Sequence, residues 1–280
     1  MITFSLSKDL SAFVIEAKTK KKSIGFVPTM GALHKGHLSL LEKASQENDL
    51  VICSIYVNPT QFNNASDLKN YPRNVNQDAN LLKKNGCNVL FTPTTTEMYP
   101  EKLETISLNL DNLDKYLEGE HRPGHFEGVI TIVNRLFDIV KPTKAYFGQK
   151  DYQQYCVIKK MAELLNPGVE IILCPTIRES DGLAMSSRNM LLTSEERKKA
   201  PALFKAMQNA NNKSLGIEPL IQTIIEEIEQ EPLFSIDYVD IADKDNLEPL
   251  SEWGERSEAQ VFIAAFLGNV RLIDNATIKR

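Results

Sequence analysis

The sequence predicts an α/β protein, built as a parallel sheet with helices on both faces and followed by a smaller C-terminal α+β domain. Three observations carry this. Short, nearly continuous apolar runs alternate with helical patterns through residues 1–176, as expected for a parallel sheet covered on both faces. Over residues 177–280 the pattern changes to helices followed by alternating strands, which marks a half-exposed antiparallel sheet. The unusual polar motifs follow the ends of the apolar runs, where open α/β sheets hold ligands. The first domain is therefore expected to be Rossmann-like.

Taken in order, Ile24–Val27, Leu50–Val57, Asn88–Phe91, Ala145–Phe147 and Val169–Leu173 read as strands. Leu38–Gln46, Val75–Lys84, Gly128–Val140 and Tyr152–Leu165 read as helices. Beyond the boundary near Pro175–Arg178, Thr193–Ile228 is mostly helical, with Pro201 near a start and Gly216 as a break. Phe234–Ile241 alternates as a half-exposed strand should, and Val261–Leu267 and Val270–Ile273 flank Gly268-Asn269, a plausible hairpin turn.

The composition bounds the function. At 280 residues, 42% hydrophobic and 25% charged, the chain can bury two cores without staples. Lys+Arg total 32 against 37 Asp+Glu, with no basic run, which argues against coating nucleic acid. A small anionic ligand needs only local donors and stays open. The four cysteines, Cys53, Cys87, Cys156 and Cys174, contain no CxxC pair, so a zinc ribbon or thioredoxin-type site is unsupported. Cys53, Cys156 and Cys174 sit in apolar contexts and read as small buried hydrophobes. No signal-peptide pattern or membrane-length apolar stretch is present, and the expectation is a reduced, cytoplasmic protein without a membrane partner.

The segment Pro28-Thr29-Met30-Gly31-Ala32-Leu33-His34-Lys35-Gly36-His37 holds two of the four histidines between a strand and a helix. A helix entrance offers backbone N–H groups without internal partners and a positive dipole end, and two imidazoles there make a nucleotide-phosphate site. The alternative is a strand-to-helix turn with two incidental histidines. A metal would need more ligands; His121 and His125 could supply them, but Pro123 and Gly124 prevent a regular helix between them. Asn58 and Gln61 follow the second strong strand, where an ordinary Asn-Pro turn competes with a substrate role. Arg122, ahead of a helix, could clamp an anion or simply be solvated. Lys150 lies near a helix start, where an anionic ligand suits it better than the helix dipole does, and Asp151 could cap that helix. Ser186, Ser187 and Arg188 form a compact phosphate-gripping loop, or else a polar interdomain loop. The G-x-G-x-x-G and Walker A patterns are both absent.

Together the motifs PTMGALHKGH, NPTQF, HRPGHFEGV, YFGQKDYQQ and ESDGLAMSSRN closely resemble the pantoate–β-alanine ligase family, in its order and at its spacing. That family belongs to the nucleotidylyltransferase superfamily, related to class I aminoacyl-tRNA synthetase catalytic domains; HxGH and MSSR correspond to the superfamily's two signatures. The resemblance implies ATP-dependent condensation of (R)-pantoate with β-alanine to pantothenate, AMP and pyrophosphate through a pantoyl adenylate. It implies His37, His34, Lys150 and Arg188 as catalytic groups, and Gln61 and Gln154 as binding residues for pantoate, Gln61 also facing β-alanine. It implies an ATP site from Met30, Gly31, Ala32, Leu33, His34, Lys35, Gly36 and His37, with Gly148, Gln149, Lys150, Asp151, Ile177, Met185, Ser186, Ser187 and Arg188. Mg²⁺ bound with ATP would neutralise the β- and γ-phosphates, and no protein metal ligand is implied. A homodimer through the larger domain, a C-terminal lid and an anion or dimer contact at Arg122 are further implications. Gln149, Ile177 and Lys35 stand where the family often has Glu, Val and Glu; no proposed catalytic group is lost.

Overall fold

The computed structural model describes residues 1–100 and 105–280. Its first elements are β1 (Ile2–Phe4), α1 (Ser7–Thr19), β2 (Ile24–Thr29), α2 (Lys35–Glu47), β3 (Leu50–Ile55), α3 (Ala65–Asn70), α4 (Val75–Lys84), β4 (Val89–Phe91) and α5 (Thr95–Met98). Next come α6 (Glu118–His121), α7 (His125–Val140), β5 (Lys144–Gly148), α8 (Tyr152–Leu165) and β6 (Glu170–Cys174). The remainder holds α9 (Ser194–Lys199), α10 (Ala202–Asn211), α11 (Ile217–Glu229), β7 (Phe234–Ala242), β8 (Glu258–Leu267) and β9 (Val270–Lys279). The described residues group into two compact units. The first comprises Met1–Leu110, Arg122–Gln149 and Gln154–Pro175; the second comprises Asp111–His121, Lys150–Gln153 and Thr176–Arg280.

In the first unit six parallel strands run in the order β1-β4-β3-β2-β5-β6. Ile24, Phe26, Val27, Ile52, Val89 and Phe91 are fully buried, which requires cover on both faces. Val27 turns to one face, with Leu41 and Ala44 of α2 and Leu82 of α4. Phe26 turns to the other, edge-on to Phe137 of α7 with ring centroids 6.3 Å apart. Helix α7 is apolar nearly all round and correspondingly buried along most of its length. The chain leaves β2 toward β3 and β4 and returns to β5 on the opposite flank of β2. That reversal is a topological switch point, where the loops beyond the strand ends diverge and open a crevice. Phe26 pairs with Ala145, and continuing this register sets Gly148 level with Thr29.

In the second unit β7-β8-β9 form an antiparallel sheet. One face packs Val239, Ile241, Val261, Ile263 and Leu272 against Leu203 and Met207 of α10 and Leu220 and Ile224 of α11. The other face carries Tyr238, Phe262, Arg271 and Asn275. Arg271 bonds both carboxylate oxygens of Glu118 at 2.9 and 2.7 Å, and Tyr238 donates to Glu118 at 2.9 Å. Gln153 donates to the carbonyls of Leu113 and Tyr116, both at 2.8 Å. These contacts tie the stretches 111–121 and 150–153 into this unit.

The observed elements differ from the sequence reading at several places, among them the short helices α3, α5 and α6 and three others. β1 and α1 lie ahead of its first strand; α1 buries Leu10, Val14 and Ala17 on one helical stripe. The stretch after β3 turns at Asn58-Pro59 instead of continuing as strand to Val57. β9 runs on to Lys279, well past Ile273, because the buried polar pair Asp274 and Asn275 interrupts the apolar pattern without interrupting the ladder. Gly268, with φ +58°, makes the expected β8–β9 turn. Among the described residues no helix is long and apolar enough to cross a membrane.

Candidate active site

The turn between β2 and α2 is held by its own side chains. Gly31 and Ala32 take left-handed backbone angles, φ +85° and +50°, so the chain bends sharply after β2. A Cβ on Gly31 would also lie 3.0 Å from both an Asp78 oxygen and Ile55. Thr29 Oγ1 accepts the Gly31 N–H at 3.2 Å. The two oxygens of Asp78, a buried residue of α4, accept the N–H groups of Ala32 and Leu33 at 2.8 Å each. His34 is the N-cap of α2, and its Nδ1 accepts the Gly36 N–H at 3.2 Å. His37 Nδ1 accepts the His34 N–H at 3.3 Å. The rings lie 4.0 Å apart, tilted by 42°.

This geometry shifts the chemistry expected from the sequence. The N–H groups of Ala32, Leu33, His34 and Gly36, which a bare helix entrance would offer to a phosphate, are bonded inside the protein. With Nδ1 accepting, a neutral ring carries its proton on Nε2, so each histidine is set as an Nε2–H donor. Lys35 is exposed and Met30 half-buried beside them.

Gln61 lies in a single helical turn, Pro59–Gln61, after β3. Its Nε2 lies 3.1 Å from Met30 Sδ, which brings it together with the histidine turn. Its Oε1 accepts from Asn58 Nδ2 at 3.2 Å. Asn58 is buried and also donates to the Gly128 carbonyl at 3.1 Å and accepts from Tyr99 at 2.7 Å. Burial raises the Tyr99 phenol above its usual range and keeps it a donor. Gly128 is required here, because a Cβ would meet the Thr60 carbonyl oxygen at 2.7 Å. Arg122 and His125 both bond the Gln61 carbonyl, at 3.0 and 2.9 Å. Arg122 thus anchors the Gln61 turn. His121 instead faces Asp237 at 3.0 Å and stacks on Tyr238. Among the described residues no group of three or more His, Cys, Asp or Glu is placed to hold a metal ion.

After β5 the chain passes Gly148 and Gln149 into the turn Gln149–Asp151 and then α8. Gln154 is half-buried on the first turn of α8. Lys150 is half-buried in the second unit, with Nζ 3.2 Å from Asp151 Oδ1. In the same unit Arg178 and Ala184 form an isolated β-bridge, and Met185 N–H donates to the Ile177 carbonyl at 3.0 Å. This hairpin leads into the turn Ser187–Leu191, capped by Ser186, whose Oγ accepts the Arg188 N–H at 3.3 Å. Ser187 is buried and Arg188 half-buried.

Asp78, Tyr99, Asp274 and Asn275 were not singled out from the sequence. The available signal for Asp78 is an acid on the buried stripe of α4, one turn from Leu82; such an acid must accept hydrogen bonds.

A parallel sheet with a histidine-capped helix at its switch point belongs to the α/β proteins that hold ligands beyond their strand ends. The pantoate–β-alanine ligase family matches residues 3–277. A pantothenate synthetase of Thermotoga petrophila is 46% identical over 275 residues, covering 97% of each chain. One from Clostridium botulinum is 47% identical over 278 residues, again covering 97% of each. Among solved structures, pantothenate synthetase of Thermus thermophilus superposes with a TM-score of 0.91 at 42% identity, over 99% of each chain. The pantoate–β-alanine ligase of Francisella tularensis, complexed with beta-gamma ATP and beta-alanine, gives 0.83 at 38% identity, over 99% of this chain and 97% of that one. The chain belongs to the pantoate–β-alanine ligase family, ATP-dependent enzymes that condense pantoate with β-alanine.

Proposed function

We propose that the condensation runs through a pantoyl adenylate, with His34 and His37 serving the α-phosphate. A pantoate carboxylate oxygen attacks the α-phosphorus of ATP, the bond to the β-phosphate oxygen breaks, and pyrophosphate leaves. The β-alanine amine then attacks the acyl carbon, the bond to AMP breaks, and the amine gives up its proton. The carrying observation is the double cap of α2. With both Nδ1 atoms accepting backbone N–H groups, two Nε2–H donors are preset for charge that grows on the α-phosphate in the transition state.

Lys150, Ser186, Ser187 and Arg188 are the groups for the remaining phosphates, supported by their charge and by the family motifs they stand in. The family motifs likewise assign Gly148, Gln149, Asp151, Ile177 and Met185, and Met30–Leu33, Lys35 and Gly36, to nucleotide binding. Gln61 and Gln154 bind pantoate, and Gln61, fixed by Asn58 on one side and by Arg122 and His125 on the other, also meets β-alanine. Mg²⁺ would enter with ATP, since a hard cation prefers phosphate oxygens; it would neutralise charge on the β- and γ-phosphates. The expected assembly is a homodimer in the cytoplasm, carried from the family resemblance and checked by light scattering and cell fractionation.

The test is pantoate-dependent exchange of labelled pyrophosphate into ATP without β-alanine. Exchange that requires pantoate supports the adenylate. Absence of exchange in an enzyme that still makes pantothenate would overturn it.

A further inference from the structure

Two neighbouring residues of β9, Asp274 and Asn275, are buried and polar, and each reaches a different part of the proposed phosphate site. Successive strand residues point to opposite faces. Asp274 shares its face with Leu272 and Ile278 of the helix-covered core. There it takes Arg178 in a paired contact, Nη1 to Oδ2 at 2.6 Å and Nη2 to Oδ1 at 2.9 Å. Arg178 lies 3.7 Å from the centre of the Phe204 ring and donates to the Gly182 carbonyl at 3.1 Å. The hairpin that carries Ser186–Arg188 is therefore clamped at its base by one carboxylate. A bidentate pair of this kind fixes orientation as well as distance.

Asn275 faces the other way. Its Nδ2 donates to the Lys150 carbonyl at 2.7 Å, and its Oδ1 accepts from Gln260 at 2.7 Å. Gln260 Oε1 in turn accepts from Thr277 at 2.9 Å. A short hydrogen-bonded chain across β8 and β9 thus orients the amide that reaches the backbone of Lys150. Burial makes each link costly to break, since a stranded polar group loses its hydration without compensation.

We propose that Asp274 and Asn275 are positioning residues for adenylate formation. One strand carries both, so the Ser186–Arg188 hairpin and the Lys150 turn are referred to a single rigid element. This rests on the reading of Lys150 and Ser186–Arg188 as phosphate ligands. Neither residue need touch substrate; each acts through a group that does. A donor displaced by about 1 Å costs on the order of a hundredfold in rate.

The experiment is a pair of double-mutant cycles read by pantoate-dependent pyrophosphate exchange, with melting temperatures recorded so that every assay runs on folded enzyme. N275A is expected to lower kcat by about ten- to hundredfold, to leave the KM for pantoate unchanged, and to cause no further loss in a K150A background. D274N is expected to behave likewise against R188A. A purely structural residue would depress the rate equally in both backgrounds. Should N275A fail to fold, N275D replaces it in the same cycle: it keeps the acceptor for Gln260 and turns the donor to Lys150 into a carboxylate oxygen that repels that carbonyl. Folded variants with wild-type kcat, or losses that multiply in the doubles, overturn the proposal while K150A and R188A remain impaired. If K150A and R188A themselves exchange at the wild-type rate, the phosphate reading fails and this inference with it.

Discussion

Asp78 and Ala32 lie 46 residues apart in sequence, yet Asp78 Oδ2 accepts the Ala32 N–H at 2.8 Å while Oδ1 holds the next amide. One buried carboxylate thereby closes the left-handed turn that delivers His34 to the head of α2. The substitution D78N puts an amide nitrogen against one backbone N–H and removes the charge that strengthens both bonds. It is expected to destabilise the fold by about 2 kcal/mol, seen as a lowered urea midpoint. It should also slow pyrophosphate exchange. Stability and exchange both unchanged would show that the turn holds itself.

His37 has two separable duties. Its Nδ1 caps the His34 N–H, and its Nε2 edge is the proposed donor. Glutamine at the third helical position can perform the capping but lacks the ring's second nitrogen. H37Q should therefore melt close to the wild type while losing exchange by about a hundred- to a thousandfold, and H37A should lose both. Near-normal exchange by H37Q would remove His37 from the α-phosphate.

The fold was largely legible because its signals are periodic. Near-continuous apolar runs announced β2, β3 and β5, and Gly268-Asn269 announced the β8–β9 turn. Asn58 shows where legibility ended. An Asn-Pro pair reads as a turn, and nothing local reveals that its amide is buried beneath Tyr99 and Gly128. Arg122 reads as a possible anion clamp, and its bond to the Gln61 carbonyl spans 61 residues. His34 and His37 were visible as a pair, but the use of both Nδ1 atoms as caps needs three-dimensional geometry. Motifs state which side chains are present; which atom of each is already engaged depends on partners distant in sequence.

Gln61 and Lys150 should separate kinetically. Q61A removes an amide that Asn58 orients at 3.2 Å and is expected to raise the KM for pantoate about tenfold or more, with ATP binding unchanged. K150A is expected to lower kcat for exchange by about ten- to a hundredfold with the pantoate KM unchanged. Steady-state kinetics with each substrate varied decides this. A Q61A defect confined to ATP would move Gln61 to the nucleotide.

The thiols give a stability prediction with a defined sign. All four cysteines are free and buried. Burial pushes the Cys87 and Cys174 thiols up to about 11 each and raises Cys53 as well, whereas an unfolded thiol ionises near about 8.5. Between those values the unfolded chain has lost protons that the folded chain retains, so the fold loses stability as pH rises. The urea midpoint should hold up to about pH 8 and fall steadily from about 8.5 to 10, a window below the titration of ordinary lysines and tyrosines. Burial also holds the Tyr146 phenol above its usual range, beside Glu47, so it adds a loss of the same sign only as unfolded tyrosines begin to ionise, toward the top of that window. C87A should shallow the decline whatever it does to the midpoint at pH 7, because it removes the titrating group. A disulfide reagent at pH 8 should label none of the four rapidly in the native enzyme and all four in denaturant; rapid native labelling would place at least one thiol at the surface and cancel the alkaline slope predicted for it.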